Sequence, residues 1–304
     1  MRSIAVINQK GGVGKTTTAV NLAAAFARLG RHVLLLDLDP QSHATLHVGV
    51  EVGPDQPSVY DVLIRGVAIG DAARSLGKRL VVIPSHVDLV GAELELADRH
   101  GRETVLARAL EPYQDGFDIC LIDCGPSLGL LTINALAAAQ EIIIPLQPHF
   151  LALQGLGRLV ETITLVRAAL NPGLRVLGVV LCMYETATRL AQEVAADVRQ
   201  FVAGAAPDTP WHGARVFDAT IRRNIKLAEC PSFGKTIFQY APTSHGAEDY
   251  LALAREVLAA ATARAPSPQL DQAGAAAPDA VAAQVTTAAG AAAAGAAHAA
   301  EPRA

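Results

Sequence analysis

Short runs of apolar residues alternate along most of the chain with longer segments whose apolar positions recur at helical spacing. The runs are rich in Val, Ile and Leu, which is typical of strands buried on both faces of a parallel sheet. They lie at residues 4–7, 32–37, 80–84, 117–123, 141–146 and 176–181. Helical spacing predicts helices at residues 19–29, 58–63, 88–99, 103–110, 151–170, 188–201 and 244–258.

The composition changes sharply after Arg264. The remaining residues are mostly alanine with scattered Gly, Pro, Gln and Thr, and they lack the bulky side chains that build a core. We therefore expect a folded domain over residues 1–264 and a disordered Ala-rich tail over residues 265–304. The tail has no lysine and one arginine, Arg303, so it cannot form a basic helix that lies on an anionic membrane.

A glycine-rich segment follows the first predicted strand and opens the first predicted helix. It reads Gln9-Lys10-Gly11-Gly12-Val13-Gly14-Lys15-Thr16-Thr17-Thr18. Strand, glycine-rich turn and helix are the context of a phosphate-binding loop, in which backbone N–H groups and the helix N-terminus surround phosphate oxygens. In such a loop Lys15 reaches the β- and γ-phosphates and the Thr16 hydroxyl binds Mg²⁺. A glycine-rich turn without a ligand is the weaker alternative.

Three carboxylates end predicted strands close to this loop in the expected fold. Asp37 and Asp39 close the second strand, and Asp123 closes the strand that begins at Phe117. Carboxylates at the carboxyl ends of parallel strands point toward the crevice where such sheets bind ligands. An apolar strand that ends in an aspartate is also the Walker B form, in which the carboxylate holds Mg²⁺.

Composition excludes several classes of protein. The formal net charge of −4 argues against a generally basic nucleic-acid coat, although it allows a local basic patch. No apolar run reaches the roughly 18 residues that span a bilayer, and the first strand begins too early to leave room for a signal peptide. We therefore expect a cytoplasmic protein with no membrane partner. The spacing of the four cysteines fits no zinc signature.

The segment Lys10-Gly11-Gly12-Val13-Gly14-Lys15-Thr16-Thr17 resembles the deviant Walker A motif of the ParA/MinD family of P-loop ATPases. Three further motifs of that family follow in order: switch I at 37–41, switch II at 123–129, and a block at 223–235 that borders the adenine base. The resemblance implies a doubly wound, mostly parallel α/β sheet with helices on both faces and the site at its carboxyl edge. It also implies ATP and Mg²⁺ as cofactors.

The resemblance assigns a role to individual residues. All eight residues from Lys10 to Thr17 bind the nucleotide, and Lys10 is the signature lysine that crosses to the nucleotide of a partner subunit. Asp39 orients the attacking water, Asp37 supports the magnesium shell, and Thr16, Asp37, Asp39 and Asp123 form the metal set. The chain departs from the family pattern at four positions: Gly125 and Arg222 replace proline, Cys230 replaces alanine, and His149 stands where glutamate is more usual.

The Asp-Pro-Gln switch and the block at 223–235 favour the ParA/Soj branch, which segregates chromosomes or plasmids. That branch implies a slow ATPase that dimerises with ATP, binds nonspecific duplex DNA on the nucleoid, and is stimulated by a ParB-type partner. The candidate DNA-binding residues are Arg189, Arg222, Arg223 and Lys226. The alternative is an ATP-switched scaffold that positions a protein cargo and uses DNA incidentally or not at all.

Overall fold

The computed structural model describes residues 1–149, 152–185 and 188–262, without the side chains of 261 and 262. The predicted tail, residues 265–304, lies outside the described residues, as do the last two residues of the predicted domain. Nine described strands form one sheet: β1 (Arg2–Val6), β2 (Val33–Leu38), β3 (Arg74–Ser75), β4 (Leu80–Ile83), β5 (Ile119–Cys124), β6 (Glu141–Leu146), β7 (Arg175–Tyr184), β8 (Arg215–Val216) and β9 (Ile221–Arg222).

Eleven α-helices lie within the described residues. They are α1 (Lys15–Arg28), α2 (His43–His47), α3 (Ile69–Ala72), α4 (Leu89–Leu96), α5 (Val105–Leu110), α6 (Leu130–Ala138), α7 (Ala152–Ala169), α8 (Arg189–Ala203), α9 (Ile225–Glu229), α10 (Ile237–Tyr240) and α11 (His245–Thr262). A π-helical turn occupies Asp61–Arg65, and 3₁₀ turns occupy Arg102–Thr104, Glu111–Tyr113 and Cys230–Phe233. None of the described helices combines the length and apolar character needed to cross a membrane.

The strand order is β3-β4-β2-β5-β1-β6-β7-β8, with β9 also paired to β7. Every pairing is parallel except that of β3 with β4. Helices α4 to α8 cover one face of the sheet, and α1 and α11 cover the other, each over its own apolar core. The predicted doubly wound α/β fold is confirmed. Its order places β1 between β5 and β6, so the loop after β1 emerges at the centre of the sheet.

A buried carboxylate ties three strands together at the amino edge of the sheet. Glu141, at the start of β6, is 1% exposed. Its two oxygens accept hydrogen bonds from Arg2 Nε of β1 at 2.5 Å and from Arg175 Nη2 of β7 at 2.7 Å. Both arginines are partly shielded from water, so their charges depend on this carboxylate.

We expect Glu141→Ala to lower the free energy of unfolding by about 3–5 kcal/mol, because removing one partner of a buried ion pair leaves its counter-charges unpaired. Urea unfolding of the two proteins measures the difference. Arg65→Ala is the matched control, since Arg65 pairs with Asp61 from a largely exposed position and should cost about 1 kcal/mol or less. Equal losses in the two variants would contradict the role assigned to Glu141.

Candidate nucleotide site

The loop between β1 and α1 has the geometry of a phosphate cradle. Gly12 and Gly14 adopt positive φ of 75° and 92°, a conformation that favours glycine. Gly14 immediately precedes α1, so the backbone amides of the first turn of the helix face the space that the loop surrounds. Lys15 begins α1 and is 7% exposed, and its Nζ donates to the Lys10 carbonyl at 2.8 Å. The loop thus holds an ammonium group beside the N-terminus of α1.

The sheet register brings two of the predicted acids side by side. In the pairing of β2 with β5, Asp37 lies opposite Asp123, and Asp123 is also opposite Val6 of β1, just before the loop. Both carboxylates are fully buried. The structure therefore brings together the two acids that the sequence places 86 positions apart, directly below the glycine loop.

Asp123 has the chemistry of a cation ligand. Neither of its buried oxygens has a hydrogen-bond partner of normal geometry among the described residues. Burial raises the pKa of Asp123 well above its usual value, and the neighbouring Asp37 raises it further; the nearby Thr16 hydroxyl and the charge of Lys15 oppose the shift. A buried carboxylate without partners is costly unless a cation approaches it. Asp123 and Thr16 therefore fit a Mg²⁺ site.

Asp37 has a local task that the sequence did not reveal. One oxygen accepts from the Thr45 amide at 2.8 Å and the Thr45 hydroxyl at 2.7 Å. The other accepts from the Asp39 amide at 3.2 Å. Burial raises the pKa of Asp37 to about 6, although these hydrogen bonds act in the opposite direction. Asp37 thus anchors the chain that leads into α2, and its support of a metal shell stays a prediction.

Asp39 is the acid that opens onto the ligand space. Its Oδ1 accepts from the Gln41 amide at 3.0 Å, and its carbonyl accepts from the Ser85 hydroxyl at 2.8 Å. Its carboxyl group also lies against Gly125 in the segment after β5, where an added Cβ would stand 3.4 Å away. The carboxylate is therefore held from two sides at the rim of the site.

A cavity of about 990 Å³ lies over the loop. Asp39 lines this cavity. So do most of the predicted loop residues, namely Gly11, Gly12, Gly14, Lys15, Thr16 and Thr17. Val13 is buried beneath the loop and Lys10 is exposed beside it, so neither side chain faces this space.

The opposite wall of the cavity was only partly predicted. The block that includes Arg223, Asn224 and Pro231 does line it, as expected of an adenine-side segment. The structure adds residues outside the predicted motifs: His43, Leu46, His47, Met183 and Tyr250. Leu46 and Ile225 are large exposed apolar residues, a signal of a binding surface that becomes visible only in three dimensions.

Comparison with known proteins places the chain in a family. A family model described as an AAA domain matches residues 1–176. The sporulation initiation inhibitor protein Soj of Bacillus subtilis is 44% identical over 84% of this chain and 98% of its own length. The chromosome-partitioning ATPase Soj of Thermus thermophilus is 48% identical over 85% of this chain and 96% of its own.

The chain belongs to the ParA/Soj family of partitioning ATPases.

A solved structure supports the same fold with nucleotide in place. It is described as cobyrinic acid a,c-diamide synthase from Mycobacterium smegmatis with bound ADP and magnesium. It is 35% identical, superimposes with a TM-score of 0.73, and covers 89% of this chain and 99% of that one.

The signature lysine of this family points away from the loop in the single chain. The Lys10 side chain is exposed, and its Nζ contacts Nε2 of His149 after β6. Burial lowers the pKa of His149, and the Lys10 charge lowers it further. A neutral imidazole can accept a hydrogen bond from an ammonium group. His149, one of the departures from the ParA/Soj pattern, is thus a contact for Lys10.

The four candidate DNA-binding cations each lie in an ion pair. Arg222 binds Asp249 at 2.5 Å through its guanidinium, and it also approaches Glu248. The other pairs are Arg223 with Glu185 at 2.6 Å, Arg189 with Glu193 at 2.8 Å, and Lys226 with Glu229 at 2.9 Å. Four cations therefore face five carboxylates, and the patch has no net positive charge.

The segment after switch I (residues 37–41) contacts the block at residues 223–235. His47 of α2 approaches Cys230, with 3.4 Å between Nε2 and Sγ, and burial lowers the pKa of His47 to about 4. Next to this pair, Gly49 packs on Gly234: a Cβ on Gly234 would stand 2.7 Å from the Gly49 Cα. The helix after switch I and the far wall of the cavity thus form one packed unit.

We expect Lys15→Ala to lower ATP affinity at least about ten-fold, because it removes charged hydrogen bonds worth about 1.5–3 kcal/mol to the phosphates. Calorimetry with ATP measures this. Lys10→Ala is the matched control within the same loop, since its side chain lies outside the cavity and ATP should still bind. Near-normal affinity of the Lys15 variant would exclude Lys15 from the phosphate site.

Proposed function

We propose that this chain binds ATP and Mg²⁺ and hydrolyses ATP in the course of chromosome or plasmid partitioning. The observation that carries the proposal is the buried carboxylate of Asp123 beneath a two-lysine glycine loop, whose oxygens have no hydrogen-bond partner of normal geometry among the residues that the structure describes. Its relatives are named chromosome-partitioning ATPases, and a neighbouring structure is described with ADP and magnesium. Every residue used in the proposal lies within the domain predicted over residues 1–264.

The residues divide the chemistry among them. Loop amides and the N-terminus of α1 hold the phosphate oxygens, and Lys15 neutralises charge between the β- and γ-phosphates. Thr16 and Asp123 would hold Mg²⁺, which would supply further positive charge to the phosphates. Asp39 at the rim accepts a hydrogen bond from the attacking water and orients it. The Gln41 amide holds the Asp39 carboxylate in place for that purpose, and the Ser85 hydroxyl holds the Asp39 backbone carbonyl.

Dimerisation completes the site in this proposal. Lys10 is exposed at the nucleotide edge, where it can reach the phosphates of a facing copy after leaving His149. Lys10 and Lys15 repel one another in an empty loop, and phosphates placed between them make the pair favourable. ATP binding and dimerisation are therefore linked. A site that lacks one cation until two copies meet also accounts for slow hydrolysis that a ParB-type partner accelerates.

DNA binding by the ATP dimer is the final element of the proposal. We place the protein in the cytoplasm, associated with the nucleoid through duplex DNA. We expect no base preference, because contacts to DNA phosphates position a protein without reading sequence. Arg189, Arg222, Arg223 and Lys226 are the family-based candidates. Because each is paired, phosphates would have to displace carboxylates from exposed pairs, which are weak. The partly buried, multiple hydrogen bonds of Arg222 to Asp249 favour a structural role for that residue.

We expect Asp39→Ala to slow ATP hydrolysis by about 10²–10⁴-fold, the range for a positioned acid or base group. ATP binding should survive, because Lys15, Thr16 and Asp123 remain. Single-turnover hydrolysis and sedimentation with ATP report the two properties separately. Gln41→Ala is the control, since it keeps the backbone amide that binds Asp39. Normal turnover of the Asp39 variant, or its failure to dimerise with ATP, would contradict the assignment.

We expect the wild-type protein to bind a mixed-sequence duplex most tightly with ATP, and Arg189→Glu together with Arg223→Glu to remove the ATP-dependent gain. Phosphate contacts by all four candidates of a protomer would give a salt slope of about −3.6, and contacts without Arg222 would give about −2.7. Fluorescence anisotropy with ATP, ADP and no nucleotide measures both quantities. An ATP-dependent gain that the double variant retains would exclude the patch. No duplex binding in any state would favour the protein-cargo scaffold.

A further inference from the structure

The signature lysine of the phosphate loop has a fixed main chain and a movable side chain. The Lys10 amide donates to Asn8 Oδ1 at 3.0 Å, and Asn8 Nδ2 donates in turn to the Pro145 carbonyl near the end of β6, at 2.8 Å. The Lys10 carbonyl accepts from Lys15 Nζ at 2.8 Å. Any movement of Lys10 toward a second subunit is therefore a movement of its side chain.

His149 contacts that side chain in the single chain. The Lys10 side chain is exposed, and its Nζ contacts Nε2 of His149. His149 is itself fixed just ahead of α7, because its carbonyl accepts from the Ala152 amide at 2.9 Å. The partner of Lys10 thus lies on the loop after β6, the strand to which Asn8 also binds.

The imidazole acts as a neutral acceptor in this contact. An ammonium group only donates, so Nε2 of His149 must carry the lone pair. Burial lowers the pKa of His149 below its ordinary value, and the nearby charge of Lys10 lowers it further, so the ring is uncharged at neutral pH. A neutral acceptor binds an ammonium group less strongly than a carboxylate does, because only one of the two partners is charged. The contact is therefore weak enough to be exchanged for another.

The Lys10 ammonium group has two alternative partners in the proposed dimer. It contacts His149 of its own chain, or it crosses to the phosphates of the facing copy. In a two-fold symmetric dimer each subunit contributes one Lys10, so closing the dimer breaks the contact with His149 twice. The free energy of this contact therefore opposes dimerisation twice.

We propose that His149 is a positioning residue that keeps Lys10 on its own subunit and thereby weakens the ATP dimer. The inference rests on the proposed function, in which Lys10 reaches the nucleotide of a second copy. It adds a residue outside the phosphate loop that sets how readily this lysine is released. A carboxylate at position 149 would bind Lys10 in an ion pair, so the imidazole gives this chain the easier release.

Sedimentation of the full chain with Mg²⁺ and a non-hydrolysable ATP analogue tests the proposal through three variants of His149. His149→Ala removes the acceptor and should tighten the dimer. A surface contact of a charged group changes an equilibrium by about five-fold at most, so two of them allow a fall of up to ~25-fold in the dimer dissociation constant. His149→Glu should weaken the dimer, and His149→Gln, which keeps a neutral acceptor, should match the wild type. Simple damage to the loop would instead weaken the dimer of His149→Ala.

Proton NMR of the nucleotide-free protein tests the contact itself. Lys10→Ala should raise the pKa of His149, because the positive charge that opposes protonation of the ring is gone. His149→Gln identifies the signal of His149 among those of the nine histidines. Gln9→Ala, in the same loop, is the matched control and should leave this pKa unchanged. Thermal unfolding checks that each variant keeps its fold.

An equal pKa of His149 in the wild type and in Lys10→Ala would overturn the inference. So would a His149→Ala dimer no tighter than that of the wild type, beside a Lys10→Ala variant whose dimer is weakened, a result that leaves the proposed function standing. A Lys10→Ala variant that dimerises as tightly as the wild type would overturn the inference together with the proposed role of Lys10 across the dimer.

Discussion

The burial of Asp123 beside Asp37 is the constraint on which the nucleotide edge depends. Two adjacent acids without water destabilise one another, and within the described residues Lys15 is the buried cation beside them. Burial lowers the pKa of Lys15, while Asp123 and Asp39 oppose that shift. The two acids lie side by side because β2 and β5 are parallel neighbours, and Asp37 and Asp123 stand opposite one another near their carboxyl ends. We expect a cation bound beside these acids to relieve their repulsion.

Much of this architecture could be predicted from local features of the chain. Continuous runs such as Val33–Leu38 are apolar on both sides, and a run with both faces buried belongs inside a parallel sheet. Gly30 marks the end of α1 with a φ of +88°, the backbone geometry that its sequence position predicted. The loop was recognisable because each of its residue types has a chemical reason to stand where it does. Similar reasoning located Asp123 and Asp39.

Other features could not be predicted because they depend on contacts between distant parts of the chain. The partner of Arg222 is Asp249 on α11, and that of Arg223 is Glu185 after β7. A short basic cluster in sequence therefore becomes neutral in space. Strands of two residues, such as β8, are too short for a pattern of apolar residues to predict them.

The close contact of Gly49 with Gly234 has a consequence for how this protein can vary in evolution. Both residues have positive φ, at 72° and 60°, and each occupies the space that a Cβ on the other would need. A substitution at either site cannot be absorbed by a side-chain rotation, because the obstructing atoms are backbone. A substitution at either glycine therefore requires a compensating change in the backbone of the other loop. Relatives that keep this contact should retain both glycines, and relatives that lose one should have rebuilt the other loop as well.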